Sequence, residues 1–161
     1  MKITATEEYG IRVLIRIASA DQEHGMSIPQ LKEAEGLSEP HVAKLCRVLR
    51  MAGIIKSTPG AKGGYVLGRP AQEIVLQDVL VALGGKLYDQ RFCDAHTGIA
   101  NLCTHSVDCA TRSLWRMVQF SVESLLVRLT LQDLLMQEKE AGLKMEHILQ
   151  RNVAQLLTDS K

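Results

Sequence analysis

Three of the four cysteines, Cys93, Cys103 and Cys109, fall with His96 and His105 inside the stretch CDAHTGIANLCTHSVDC. Thiols and imidazoles at this density can hold a metal: zinc would accept the three sulfurs and either histidine in a tetrahedral array. They can also form a thiol–disulfide switch, which needs two cysteines and an exposed, low-pKa thiolate. The bland alternatives are structural cysteines and solvated loop histidines. No paired C-x-x-C knuckle is present, so spacing alone does not select zinc. Cys46 lies on the apolar side of a helical segment and reads as packing. Oxyanion motif, phosphate loop and carboxylates paired at catalytic spacing are all absent, which argues against an enzyme with Cys93 or Cys103 as nucleophile.

A second group of residues suggests a different chemistry. The chain of 161 residues has a formal net charge of only +1. Residues 38–69 nevertheless carry Lys44, Arg47, Arg50, Lys56, Lys62 and Arg69 against one acid, Glu39, a local charge of +5. A basic patch on a near-neutral protein is the electrostatic footprint of a nucleic-acid reader, although it also fits an ordinary solvated face.

The elements that position these residues can be read from capping and periodicity. Thr4-Ala5-Thr6-Glu7 is a capping box, followed by Ile11, Leu14, Ile15 and Ala18 at helical spacing. Glu8, Arg12 and Arg16 share the polar side, where Glu8 and Arg12 stand at ion-pair spacing. Ser27-Ile28-Pro29-Gln30 opens a short helix with Leu31 and Ala34 inward, and Gly36 stops it. Ser38-Glu39-Pro40 starts another, with Val42, Leu45, Cys46 and Leu49 on its apolar face and His41, Lys44 and Arg47 opposite. Two short helices around a glycine turn, behind a supporting helix, form a helix-turn-helix pattern. Ile54–Thr58, the turn PGAKGG and Tyr65-Val66-Leu67 add a β-hairpin, hence a winged helix. Ser38, His41, Lys44 and Arg47 are then the major-groove candidates, with Lys62, Gly63 and Tyr65 on the wing.

Glu73 to Gly85 reads as a short helix, and a long one is expected from about Thr111 to Leu129. Leu114, Val118, Val122, Leu125 and Leu129 on the long helix approach a coiled-coil seam. So long and apolar a helix on a small domain predicts a homodimer, and a two-fold protein suits a palindromic operator. Gly142 is a break before a last amphipathic helix carrying Met145, Ile148, Leu149, Val153, Leu156 and Leu157.

The segments EYGIRVLIRIA, SEPHVAKLCRVLRMAGIIKS, GGYVLGR, DVLVALGG and LWR…LTLQDLL resemble the Rrf-two family of bacterial transcription regulators over roughly residues 1–136. The resemblance implies a homodimer of winged helices binding double-stranded DNA. It also implies, as in the IscR/NsrR-like members, an iron–sulfur cluster with two or four irons, its nuclearity open. The family's three cysteine places fall on Cys93, Cys103 and Cys109. The first interval departs from the pattern: nine residues separate Cys93 from Cys103, where five separate Cys103 from Cys109. The histidine that IscR has three places after its last cysteine is Arg112 here. NsrR-like members draw an acid from the partner's first helix, and Glu8 stands at that place. Glu8, His96 and His105 stay open as the fourth ligand. Trp115 and Arg116 are expected to orient the ligand loop. In the wing, Pro59 stands where an arginine is usual, and Lys62 is a partial substitute. Three thiolates and one weaker ligand make a labile site, which suits a sensor.

The expected architecture is mainly α: a winged helix-turn-helix over 1–84, a cysteine-rich loop over 85–110, a dimerisation helix over 111–136 and a C-terminal helical arm over 137–161. No apolar run reaches the ~18 residues of a membrane span, and no signal-like segment opens the chain, so a soluble cytoplasmic protein is expected.

Overall fold

A computed structural model describes residues 3–59, 63–86, 88, 90–97, 103 and 108–158. Helix α1 (Ala5–Ser19) starts on its capping box, where the Thr4 N–H donates to Glu7 Oε2 at 2.7 Å. It buries Gly10, Val13, Leu14 and Ile17, with Ile11, Ile15 and Ala18 half-buried beside them. The buried stripe is wider than the expected face because α2, α3 and α4 all pack on α1. Gly10 permits a close approach of α4, since a Cβ there would lie 2.4 Å from Leu83 Cδ2.

Helix α2 (Ile28–Glu35) ends at Gly36, whose φ of +66° is left-handed backbone that glycine adopts without strain. Ala34, expected inward, is exposed. Glu35 is buried instead, because Arg12 and Arg16 of α1 reach its carboxylate at 2.7 and 2.5 Å. Those arginines are therefore engaged across helices, and the local Glu8–Arg12 pair is not formed. Helix α3 (Glu39–Met51) follows Ser38 and buries Val42, Leu45, Cys46 and Leu49, as its periodicity predicts.

Strands β1 (Ile55–Ser57) and β2 (Tyr65–Leu67) pair antiparallel, with Lys56 opposite Val66. Tyr65 also exchanges backbone hydrogen bonds with Met26, at 2.8 and 3.1 Å, which fastens the hairpin to the start of α2. A 3-10 turn (Ala71–Glu73) precedes α4 (Leu76–Gly84), so the single helix expected from Glu73 is interrupted. Ile74 and Val75 are extended because the chain after the long helix pairs with them: Leu131 N–H donates to Ile74 O at 2.8 Å and Leu76 N–H to Leu129 O at 2.9 Å. The same pairing ends the long helix, α6 (Ala110–Leu126), three residues before the expected Leu129.

The cysteine-rich segment is not wholly loop, since α5 (Gln90–Ala95) carries Cys93. Helix α7 (Leu131–Leu134) begins at a capping box on Thr130. Helix α8 (Glu138–Thr158) runs through Gly142 without a break. A glycine inside a helix costs about 1 kcal/mol. Tertiary contacts offset it: Lys144 pairs with the buried Asp133 of α7, and Asn152 Nδ2 donates to Ser124 Oγ of α6 at 2.8 Å. The arm thus packs on its own chain. The core gathers Val13, Leu14, Ile17, Leu31, Leu45, Leu49, Ile54, Ile55, Ile74, Val79 and Leu131 under the three helices and the hairpin.

Candidate DNA-binding face and thiol site

Ser38, Lys44 and Arg47 are exposed on one side of α3, with Arg50 on the same helix. His41 is half-buried, its ring edge-on to Tyr9 with centroids 5.5 Å apart. Tyr9 also lies under the Arg12 guanidinium, 5.6 Å from its centroid. His41 thus joins the exposed face to the supporting helix, a link that needed Tyr9 to be brought beside it by folding. On the wing, Gly63 and Tyr65 are half-buried, while Lys62 lies outside the described residues. Thr58 is a clasp that the sequence does not advertise: its Oγ1 accepts from the Gly64 N–H at 2.7 Å and lies 3.2 Å from the His24 carbonyl. A side chain at Gly64 would be 2.6 Å from Met26 backbone, so the wing base is closely packed.

Cys93, Cys103 and Cys109 are all free and half-buried. Cys93 Sγ lies 3.3 Å from the Tyr88 hydroxyl. That hydrogen bond, with burial, pushes the Tyr88 phenol up. Cys109 caps α6, its sulfur accepting from the Arg112 N–H at 3.3 Å. Phe92 stands among Tyr88 at 5.5 Å, His96 at 4.1 Å and Trp115 at 6.4 Å between centroids. Among the described residues, Trp115 reaches this group only through Phe92 and is otherwise 40% exposed. The exposed His96 has Nδ1 2.7 Å from the Phe92 carbonyl, to which it donates. His105 lies outside the described residues. Cys46 is inert by comparison, because burial pushes its thiol up to about 11.

The donor set can be tested against the metals it suggests. A tetrahedral zinc site places its sulfurs roughly 3.8 Å apart. Among the described residues, the three cysteines do not form a group with all donor atoms within 4.8 Å; Asp21, Glu23 and His24 do, on the exposed surface. A preassembled zinc knuckle is therefore not what these cysteines form. Three free, partly exposed thiols are the ligand type that an iron–sulfur cluster takes. Glu8 is exposed on the first turn of α1 and lines a cavity of about 300 Å³ between α1, α4 and α6. No cysteine lines that cavity among the described residues. Glu7 is engaged in the capping box.

Helix α6 has no buried residue, and it exposes Leu114, Trp115, Met117 and Phe120. Among the described residues no helix is long and apolar enough to cross a membrane.

A family model described as Rrf2, iron-dependent transcriptional regulator, matches residues 3–137. The chain belongs to the Rrf2 (Rrf-two) family. It is 36% identical over 135 residues to Protein rrf2 of Nitratidesulfovibrio vulgaris, covering 84% of this chain and 87% of that one. Among solved structures it resembles CymR, the global cysteine regulator of B. subtilis (TM-score 0.65, 30% identity, 84% of this chain and 96% of that one). It also resembles IscR of T. potens (TM-score 0.63, 32% identity, 84% and 86%). As an Rrf2 protein the chain is a DNA-binding transcription regulator and not an enzyme. Helix α8 begins at Glu138, just beyond the Rrf2 match.

Proposed function

We propose that this Rrf2 protein is a cytoplasmic homodimer whose binding to a palindromic operator is controlled by an iron–sulfur cluster. Cys93, Cys103 and Cys109 would hold the cluster, and Glu8 of the partner subunit would complete it. The observation that carries the reading is the set of three free, half-buried thiols leading into an α6 that has no fully buried residue and exposes Leu114, Met117 and Phe120. The family description as iron-dependent supports it. A bound cluster supplies iron centres sensitive to oxidants, nitric oxide and iron supply. The chain's own residues do the rest. Tyr88 offers a hydroxyl to Cys93, the Arg112 N–H orients Cys109, and Phe92 of α5 packs against Tyr88. Ser38, His41, Lys44 and Arg47 enter the major groove, while Lys62, Gly63 and Tyr65 meet phosphate or the minor groove.

The test is anaerobic purification followed by a visible spectrum and an iron and sulfide count per subunit. Brown protein with matched iron and sulfide is expected. Colourless protein that stays free of iron after reconstitution would overturn the reading. The second reading is a thiol switch without a cluster, favoured by the partial exposure of the free thiols and by the likeness to CymR. Oxidation-dependent DNA binding by iron-free protein would select it.

A further inference from the structure

Tyr88 connects Cys93 to the long helix through two contacts, one made by its side chain and one by its backbone. The Tyr88 hydroxyl is 3.3 Å from Cys93 Sγ, and the Tyr88 N–H donates to Gln119 Oε1 on α6 at 3.0 Å. One turn further along α6, Glu123 takes Lys86 at 3.2 Å. Tyr88 is 9% exposed, against Phe92 of α5. A movement of Cys93 relative to Tyr88 therefore bears on the attachment of Tyr88 and Lys86 to α6.

We propose that Tyr88 is the positioning residue through which the state of the Cys93 sulfur reaches helix α6. A thiolate, free or metal-bound, has no proton to give, so the hydroxyl must donate to it. Alkylation leaves only a weak thioether acceptor facing the hydroxyl, frees the phenol and loosens Tyr88 and Lys86 on Gln119 and Glu123. Because α6 leads through Leu129 to the extended pairing with Leu76, such a change arrives at the base of the winged helix. The inference rests on the proposed sensing role of Cys93 and holds for a cluster ligand or a switching thiol. It makes Tyr88 a tuner as well, since a hydrogen bond to a ligating sulfur raises the reduction potential of a cluster.

The test uses the full chain and Tyr88→Phe, which keeps the ring and removes the hydroxyl. Apo protein is treated with iodoacetamide, whose iodide is displaced as the Cys93 S–C bond forms, and mass spectrometry locates the label. Amide exchange is then followed across residues 110–126. In the wild type, labelling at Cys93 is expected to speed exchange in this helix about fivefold, as expected for the loss of one hydrogen bond. In Tyr88→Phe the labelled and unlabelled proteins should exchange alike, at the faster rate. A wild-type response preserved in Tyr88→Phe, or no wild-type response, would overturn the inference. A second measurement separates a coupling role from a merely structural one: in reconstituted protein, Tyr88→Phe should shift the midpoint potential to more negative values at unchanged iron content. An unchanged potential contradicts the tuning. If the wild type assembles no cluster, the cluster reading fails on its own, and the apo-protein exchange experiment still decides the link.

Discussion

Arg12 and Glu35 meet inside the helix-turn-helix corner, with Arg12 Nε 2.7 Å from a Glu35 carboxylate whose side chain is 3% exposed. Arg16 takes the other oxygen at 2.5 Å. The supporting helix thus fixes the end of α2, and with it the turn that aims α3. Burial raises the Glu35 carboxyl, but hydrogen bonds and charge from Arg16 and Arg12 outweigh it and hold the group below its ordinary range. A carboxylate depressed in this way contributes stability that is present above its unfolded value, ~4.3, and is lost as pH falls through the folded value. Glu35→Gln is expected to cost about 1–2 kcal/mol at neutral pH. Urea unfolding from pH 7 downward should show the difference from wild type shrinking below about pH 4. A difference unaffected by acid would contradict the ion-pair account.

The exposed side of α3 makes a separate prediction. Lys44 and Arg47 have no ion-pair partner among the described residues and no core role, so alanine there should leave the fold intact. Binding to a duplex selected from a random library should weaken by about 1–3 kcal/mol for a base-reading side chain. A phosphate contact would instead lower the salt slope by about one unit. Fluorescence anisotropy at several salt concentrations distinguishes the two. Wild-type affinity in both variants would remove α3 from the interface.

The wing base is testable through Gly64. An added Cβ would meet Met26 backbone at 2.6 Å, and a main chain yields far less readily than a side-chain tip. Gly64→Ala is expected to destabilise the protein by about 1–3 kcal/mol and to weaken DNA binding through a displaced hairpin. Thermal melts and the anisotropy assay together check this; an unchanged melting temperature would contradict the packing described at Met26.

Helix α8 is fastened chiefly by Lys144 on Asp133 and by Asn152 on Ser124. Burial raises the Asp133 carboxyl, yet Lys144 and the Thr130 hydrogen bonds prevail and hold it low. Lys144 is 44% exposed, so its loss is discounted for solvent: Lys144→Ala should cost about 1 kcal/mol. Amide exchange over residues 138–158 should quicken while α1–α3 stay protected. Uniform protection in the variant would show that the apolar face of α8 suffices to hold it.

What the sequence reveals is what local chemistry determines. The capping boxes at Thr4 and Ser27 and the α3 periodicity all form because their partners lie within a few residues. Where a distant partner decides, sequence reading falls short. Arg12 chose Glu35, twenty-three residues away, over a neighbouring acid. Gly142 stays helical because Lys144 and Asn152 are fastened to α7 and α6. Ile74 leaves the helix to pair with Leu131. At the thiol site, residue type and spacing reveal the cysteines, but Tyr88 acquires its role only when folding sets it between Cys93 and Gln119. Its one sequence signal is an aromatic residue five places before a cysteine.

The most direct measurement is DNA affinity before and after cluster removal in one anaerobic preparation, using the same selected duplex and salt. Control by the cluster requires the two forms to differ by at least about tenfold, the range of ordinary allosteric coupling. Cys93→Ser protein should behave as the cluster-free form under both conditions. Equal affinity of the loaded and stripped forms would contradict cluster control, however much iron the protein holds.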